Sequence, residues 1–110
     1  MGLFKKMKKV KQYKGFYKNF HKGKDKSMKH PIWTKKQRTT KVKVAQLTHS
    51  DKTRGVKNIK LYKNPNRHDP KDSYVRPKPL IVDLDKYTKI GTKWRLTRKD
   101  KKLLLKIINQ

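Results

Sequence analysis

Charge sets the terms on which this chain can fold. It carries 28 Lys and 6 Arg against 7 Asp, with no Glu, for a formal net charge of +27 over 110 residues. A compact state concentrates that charge, and only a polyanion or dense counterions relieve the self-repulsion. An ordinary soluble design carries a net charge of roughly 2–8 in magnitude. Codon bias in an AT-rich genome would enrich Lys, but it would enrich Glu almost equally, and Glu is absent. Loss of acidic side chains is what a surface facing phosphates favours. A protein neutralising about 6–10 phosphates would lose roughly 10³–10⁵ in affinity between 50 and 200 mM salt.

Other classes fall away on composition. There is no Cys, hence no disulfide and no thiolate metal site. No apolar run approaches the roughly 18 residues of a membrane span. The start, Met1-Gly2-Leu3-Phe4-Lys5-Lys6, lacks the Ser or Thr that myristoylation needs at the sixth position, and it has no apolar signal-peptide region. A cytoplasmic protein with no membrane partner and no cofactor is the expectation.

The chain divides by composition into an arm, residues 1–29, and a domain, residues 30–110. The arm holds eleven Lys and all three Phe. On a helical wheel Leu3, Met7, Val10, Tyr13, Tyr17 and Phe20 share one face, which predicts a helix over 3–14 fraying into an aromatic, basic linker. Gly15 weakens its interior, by about 1 kcal/mol. Lys5, Lys8, Lys9, Lys11, Lys14 and Lys18 are candidate phosphate contacts, with Phe16 and Tyr17 stacking on unpaired bases. The structural alternative is an amphipathic helix docked on the protein's own sheet with its Lys solvated. A membrane-surface helix is a third reading.

Beyond His30 the pattern turns to short strands. Ile32-Trp33 fits a short first strand, Thr40–Leu47 alternates as a half-buried strand should, and Asn58–Tyr62 alternates again. Asp51–Gly55 reads as a turn or loop, and Asn64–Pro70 as loop. Leu80–Leu84 is the most apolar stretch and is expected to be central. Thr97-Arg98-Lys99-Asp100 resembles a capping box ahead of Leu103, Leu104, Ile107 and Ile108, which predicts a helix over 98–109. The fold class is therefore α+β: a small, mostly antiparallel sheet packed by a C-terminal helix, preceded by a basic helical arm. Its core would be Val42, Val44, Leu47, Ile59, Leu61, Val75, Leu80, Val82, Leu84, Trp94, Leu96 and the helix face.

Among chemical constellations, His49 in Thr48-His49-Ser50 follows a strand end, where a His can serve as acid or base in phosphodiester cleavage. Ser50, Lys57, Arg67, Ser73 and Tyr74 are candidates to complete such a site, with Arg54 and His68 nearby. The plainer reading makes His49 a strand-end or phosphate-contacting residue. Asp69 with Asp72, and Asp83 with Asp85, are the close acidic pairs, too few for a two-metal nuclease. His21, His30, His49 and His68 lack zinc-ligand spacing, so no metal site is expected. No Gly-rich phosphate loop is present. Arg38, Lys41, Lys43, Arg54, Lys60 and Arg76 extend the candidate phosphate-binding set across the domain.

The series Leu47-Thr48-His49-Ser50, Asn58-Ile59-Lys60-Leu61, Asn64-Pro65-Asn66 and Ser73-Tyr74-Val75 resembles small Lys-rich proteins of low-GC bacteria and their phages or mobile elements. Size, basicity and element order also resemble the barnase, EndoU, colicin and RelE group of ribonuclease-like folds. That resemblance is at the level of fold, and the missing Glu departs from barnase-type enzymes. It implies a metal-independent ribonuclease resting on His49. The residues themselves favour nucleic-acid binding, RNA before DNA, through phosphates and with little sequence specificity, since Lys outnumbers Arg. A structural role in a ribonucleoprotein particle, or that of an inhibitor occupying a nucleic-acid site on another protein, stays open beside these.

Overall fold

The computed structural model describes residues 13–18, 30–90 and 93–110. The α+β expectation holds: a seven-stranded, antiparallel sheet is packed by one helix at the C-terminus. The strands are β1 (Tyr13–Lys18), β2 (Ile32–Gln37), β3 (Lys41–Thr48), β4 (Lys52–Thr53), β5 (Val56–Lys57), β6 (Ile59–Lys60), β7 (Tyr74–Val75), β8 (Leu80–Asp83) and β9 (Thr88–Lys89). The main sheet runs β6-β7-β3-β2-β1-β9, with β8 added on β3, while β4 and β5 form a separate hairpin. Helix α1 spans Arg98–Ile108. Among the described residues no helix is long and apolar enough to cross a membrane.

β3 organises the sheet because its alternation is the longest. Val42 and Val44 face one side, and Ala45 and Leu47 the other. It pairs with β2 (Ile32↔Gln46, Trp33↔Ala45), β7 (Leu47↔Val75) and β8 (Val42↔Val82). On one face Phe16, Trp33, Ala45, Leu47, Leu61 and Val75 meet Leu104, Ile107 and Ile108 of α1. On the other, Tyr13, Tyr17, Ile32, Val42, Val44 and Leu84 form a second cluster.

The N-terminal segment departs from expectation. Tyr13 and Lys14, placed at the end of a helix, belong to β1, which pairs with β2 and extends the sheet across the proposed 29/30 boundary. The rest of the expected helix lies outside the described residues. Aromatic spacing at 13, 16 and 17 satisfies a strand as well as a helix, and aromatics favour pleated, half-buried surfaces. Gly15 is explained by the strand: it sits at a register shift between β1 and β2 with φ +96°, in the left-handed region. Ile32-Trp33 accordingly opens the second strand.

Three smaller points concern exposure and order. Leu80–Asp83 is not central: among the described strands it pairs only with β3, and Ile81 is 71% exposed. Ile59 and Leu80, expected in the core, are also exposed. Within Asp51–Gly55, Arg54 (φ 51°) and Gly55 (φ 78°) make the expected turn, while Lys52 and Thr53 form the short strand β4 that it joins to β5.

The terminal helix forms as its sequence dictates, with one difference at its start. The Thr97 Oγ1 accepts from the Asp100 N–H and caps the helix. The Asp100 carboxylate, 2% exposed, instead accepts from the backbone N–H groups of Tyr62 (2.8 Å) and Lys63 (3.1 Å), clamping the segment after β6 to α1. At the other end the Lys35 Nζ donates to Asn109 Oδ1 and the Lys43 Nζ to the Gln110 carbonyl. Both cations sit where the helix dipole is negative.

Candidate functional site

Among the described residues, Asp69, Asp83 and Asp100 are engaged in structure, and few of the cations are paired with an acid. Asp100 clamps backbone amides, and Asp83 accepts from the Asp85 N–H at a one-turn 3₁₀ segment, Leu84–Lys86. Among the described residues two ion pairs occur, Lys60–Asp72 at 3.5 Å and His49–Asp69 at 2.7 Å. The remaining described Lys and Arg make no ion pair with an Asp, and eight of them line two concavities on opposite faces of the sheet.

The first is a groove of about 590 Å³ on the helix-bearing face. Phe16 from β1, Trp33 from β2 and Trp94 ahead of α1 form its floor, with the Phe16 and Trp94 rings 5.4 Å apart and tilted by 59°. Lys14, Lys35, Lys36, Lys89, Arg95 and Lys101 rim it, and no carboxylate of the described residues lines it. Three chain segments meet here only because β1 joins the sheet.

This geometry corrects the stacking role expected of Phe16 and Tyr17. Both are 6% exposed, so neither ring presents a free face. Tyr17 lies in the opposite cluster, where burial raises its phenol pKa. Trp94, half-buried and read from sequence as core, is the aromatic that opens to the groove. Of the cations expected to hold phosphates, Lys14 lies on the rim, Lys18 is half-buried, Arg38 is exposed on the β2–β3 connection, and Lys41 and Lys43 are exposed on β3. Lys5, Lys8, Lys9 and Lys11 lie outside the described residues.

The second concavity, about 470 Å³, is lined by His30, Gln46, Thr48, Thr53, Arg54, Arg76 and Leu80. Sheet geometry assembles it. Gln46 and Thr48 continue the face begun by Val42 and Val44 at period two. Ile32 pairs with Gln46, so His30, two residues earlier, falls on the same face. The Arg76 N–H donates to the Gln46 carbonyl (2.9 Å), extending the β7 ladder and setting Arg76 opposite Gln46. Arg76 Nε is buried there with no hydrogen-bond partner. The β4–β5 hairpin supplies Thr53 and Arg54, and it is anchored by buried Asn58, whose Nδ2 donates to Ser50 O and Thr53 Oγ1. Left-handed backbone at a residue with a Cβ costs about 1–2 kcal/mol, so Arg54 is held at the tip against its own preference.

His49 stands next to this concavity in sequence, with its side chain 53% exposed. A carboxylate only accepts, so its Nε2–H donates to Asp69 Oδ2 and leaves Nδ1 unprotonated in the neutral ring. Asp69 is delivered by a loop without regular structure that is nonetheless specified by side-chain turns. Asn64 Oδ1 accepts from the Asn66 N–H, Asn66 Oδ1 from the His68 N–H, and Asp69 Oδ1 from the Lys71 N–H. That last bond, and then the His49 contact, hold the Asp69 pKa below its ordinary value. His30 has its pKa lowered by burial first, then by the positive charges of His49 and Arg76.

The structure thus gathers His30, Arg54 and Arg76 at one concavity and pairs His49 with Asp69, but does not gather the other expected partners. Ser73 is buried and its carbonyl accepts from the Leu61 N–H, so it is unavailable for chemistry. An Arg67 guanidinium N–H donates to the Arg95 carbonyl (3.4 Å). Lys57 is exposed on the hairpin, and Ser50 is exposed beside His49. Tyr74 pairs with Thr48 and Lys60, placing it on the same sheet face. Asp69 was legible in the sequence only as half of an acidic pair with Asp72, and twenty residues separate it from His49. Among the described residues no cluster of three or more His or Asp could hold a metal ion. In comparisons with protein families, curated proteins and solved structures, the chain matches no family model, no curated protein and no solved structure.

Proposed function

We propose that this protein binds nucleic acid, single-stranded RNA before DNA, contacting phosphates with little sequence specificity. One observation carries the reading: among the described residues, six cations and no carboxylate surround an aromatic floor in the groove of Phe16, Trp33 and Trp94. A backbone tracked by Lys and Arg with a base against an aromatic ring is how single strands are held without reading their sequence. Lys supplies point charges that position phosphates, whereas forked base recognition favours Arg.

Titration of labelled single-stranded RNA at low salt tests this directly. Binding is expected to quench Trp fluorescence, and Trp94→Ala should weaken it by about 1–3 kcal/mol, the value of one stacked base. A chain indifferent to both RNA and DNA in dilute buffer would refute the reading.

A further inference from the structure

We propose that the concavity on the opposite face holds a phosphomonoester, the dianionic phosphate that ends a nucleic-acid strand. The inference rests on the nucleic-acid-binding reading above and adds to it a second contact of different chemistry.

The lining of this pocket is a set of donors without a matching acceptor. Arg54 and Arg76 pair with no acid among the described residues, and Arg76 Nε is buried with no hydrogen-bond partner. A buried charged donor left unpaired is costly, and an anion is the ligand that removes the cost. Two hydroxyls add donors of another kind. Thr48 Oγ1 accepts from the Ser50 N–H (3.2 Å), and Thr53 Oγ1 accepts from Asn58 Nδ2 (2.8 Å). A hydroxyl that already accepts within the fold keeps its own proton to give. His30, held toward its neutral form by burial and then by neighbouring positive charge, brings a ring N–H. No carboxylate of the described residues lines the pocket.

Two features set the site apart from the general positive surface. Both of its cations are Arg, in a chain of 28 Lys and 6 Arg. The guanidinium fork matches phosphate oxygens two at a time, where an ammonium acts as a point charge. Arg54 is also carried at φ 51°, where Asn or Gly would sit without strain. Charge alone was on offer from Lys52 and Lys57 of the same hairpin, both exposed and neither at positive φ. The ligand's charge follows from the lining. A phosphate within a strand carries one negative charge and presents two free oxygens. A terminal phosphate carries about −1.5 to −2 at pH 7 and presents three. It matches Arg54 and Arg76 charge for charge and leaves an oxygen for the hydroxyls and the imidazole.

The full chain, bound to a labelled hydroxyl-ended RNA of about eight nucleotides, is challenged with unlabelled competitors at about 150 mM salt, where diffuse attraction is screened. The competitors end in a 5′-phosphate, a 3′-phosphate or hydroxyls only, and a hydroxyl-ended strand two nucleotides longer matches the added charge. A phosphate at one end is expected to tighten binding by about tenfold or more, against about twofold for the longer strand. Arg54→Gln and Arg76→Gln should each abolish most of that gain while binding the hydroxyl-ended strand within about twofold of wild type, which also reports an intact fold. Lys78→Gln, the same loss of charge at an exposed position outside the pocket, should keep the gain. The His30 ring signals in the NMR spectrum, assigned by their loss in His30→Gln, should shift with the phosphate-ended strand and not with its hydroxyl-ended twin. Equal affinity for the two strands overturns the proposal and leaves the binding reading standing. So do unmoved His30 signals, which place the phosphate elsewhere, and a gain lost equally in Lys78→Gln, which assigns it to diffuse charge. Adenosine monophosphate competing as strongly as the phosphate-ended strand makes a free nucleotide the ligand and overturns the strand end. A chain that binds none of the strands refutes the reading beneath it, and the strand end with it.

Discussion

Salt dependence offers a quantitative test of whether binding is focused in the groove or spread over the whole cationic surface. The rim carries six cations, Lys14, Lys35, Lys36, Lys89, Arg95 and Lys101. If each contacts one phosphate of a short single strand, log Kd should change with log salt at a slope of about 0.7 per contact, or roughly 4 in all. A fourfold rise from 50 to 200 mM salt then weakens binding by about 300-fold. Replacing exposed Lys36, Lys89 and Lys101 by Gln should reduce the slope to about 2 and the loss to roughly 20-fold. Lys63, Lys78 and Lys86, exposed and away from the groove lining, serve as the control triple. Fluorescence anisotropy with an oligonucleotide of about eight nucleotides measures both slopes, a length comparable with one single-strand site. If the two triples lower the slope equally, the cations act as a diffuse cloud and the groove is not the interface.

Further outcomes follow from packing and titration. Asp100→Ala should destabilise the fold by about 3–5 kcal/mol, since it removes a charged acceptor from the Tyr62 and Lys63 amides. A thermal melt reads this as a loss of at least about 12 °C, and a change under about 4 °C would show that the clamp contributes little. Gly15→Ala forces a Cβ into φ +96° and should cost about 1–2 kcal/mol in denaturant unfolding, even though the space beside it is open enough. The His30 pKa is depressed in the folded state, so the unfolded chain binds more protons just below its ordinary value of 6.5. Its contribution to stability is therefore complete above that pH and declines as pH falls below it. His30→Gln should flatten that part of the stability-against-pH curve, and an unchanged curve would contradict the assignment.

How much of this could be read along the chain depends on distance in sequence. The terminal helix announced itself, because Thr97 and Asp100 cap within one turn and Leu104, Ile107 and Ile108 recur at helical spacing. β3 was equally legible from its alternation, and the charge was plain from composition. Yet Tyr13, Phe16 and Tyr17 suit a helix and a strand alike. Pairing with Ile32–Gln37 settled them as β1, moving two rings from stacking candidates into the core. Leu80–Asp83 misled for the opposite reason: apolar character marks a strand but not the number of its neighbours.

The candidate sites were the least visible, because each is a product of register. Arg76 faces Gln46 only through the β3–β7 ladder, His30 joins them only through β2, and Asp69 reaches His49 across a loop held by Asn64 and Asn66. Periodicity and capping are decided by residues within a few positions, where local sterics and solvation dominate. Which strands become neighbours is decided by how the whole chain buries its limited apolar surface while keeping its cations in water. That choice belongs to the tertiary fold.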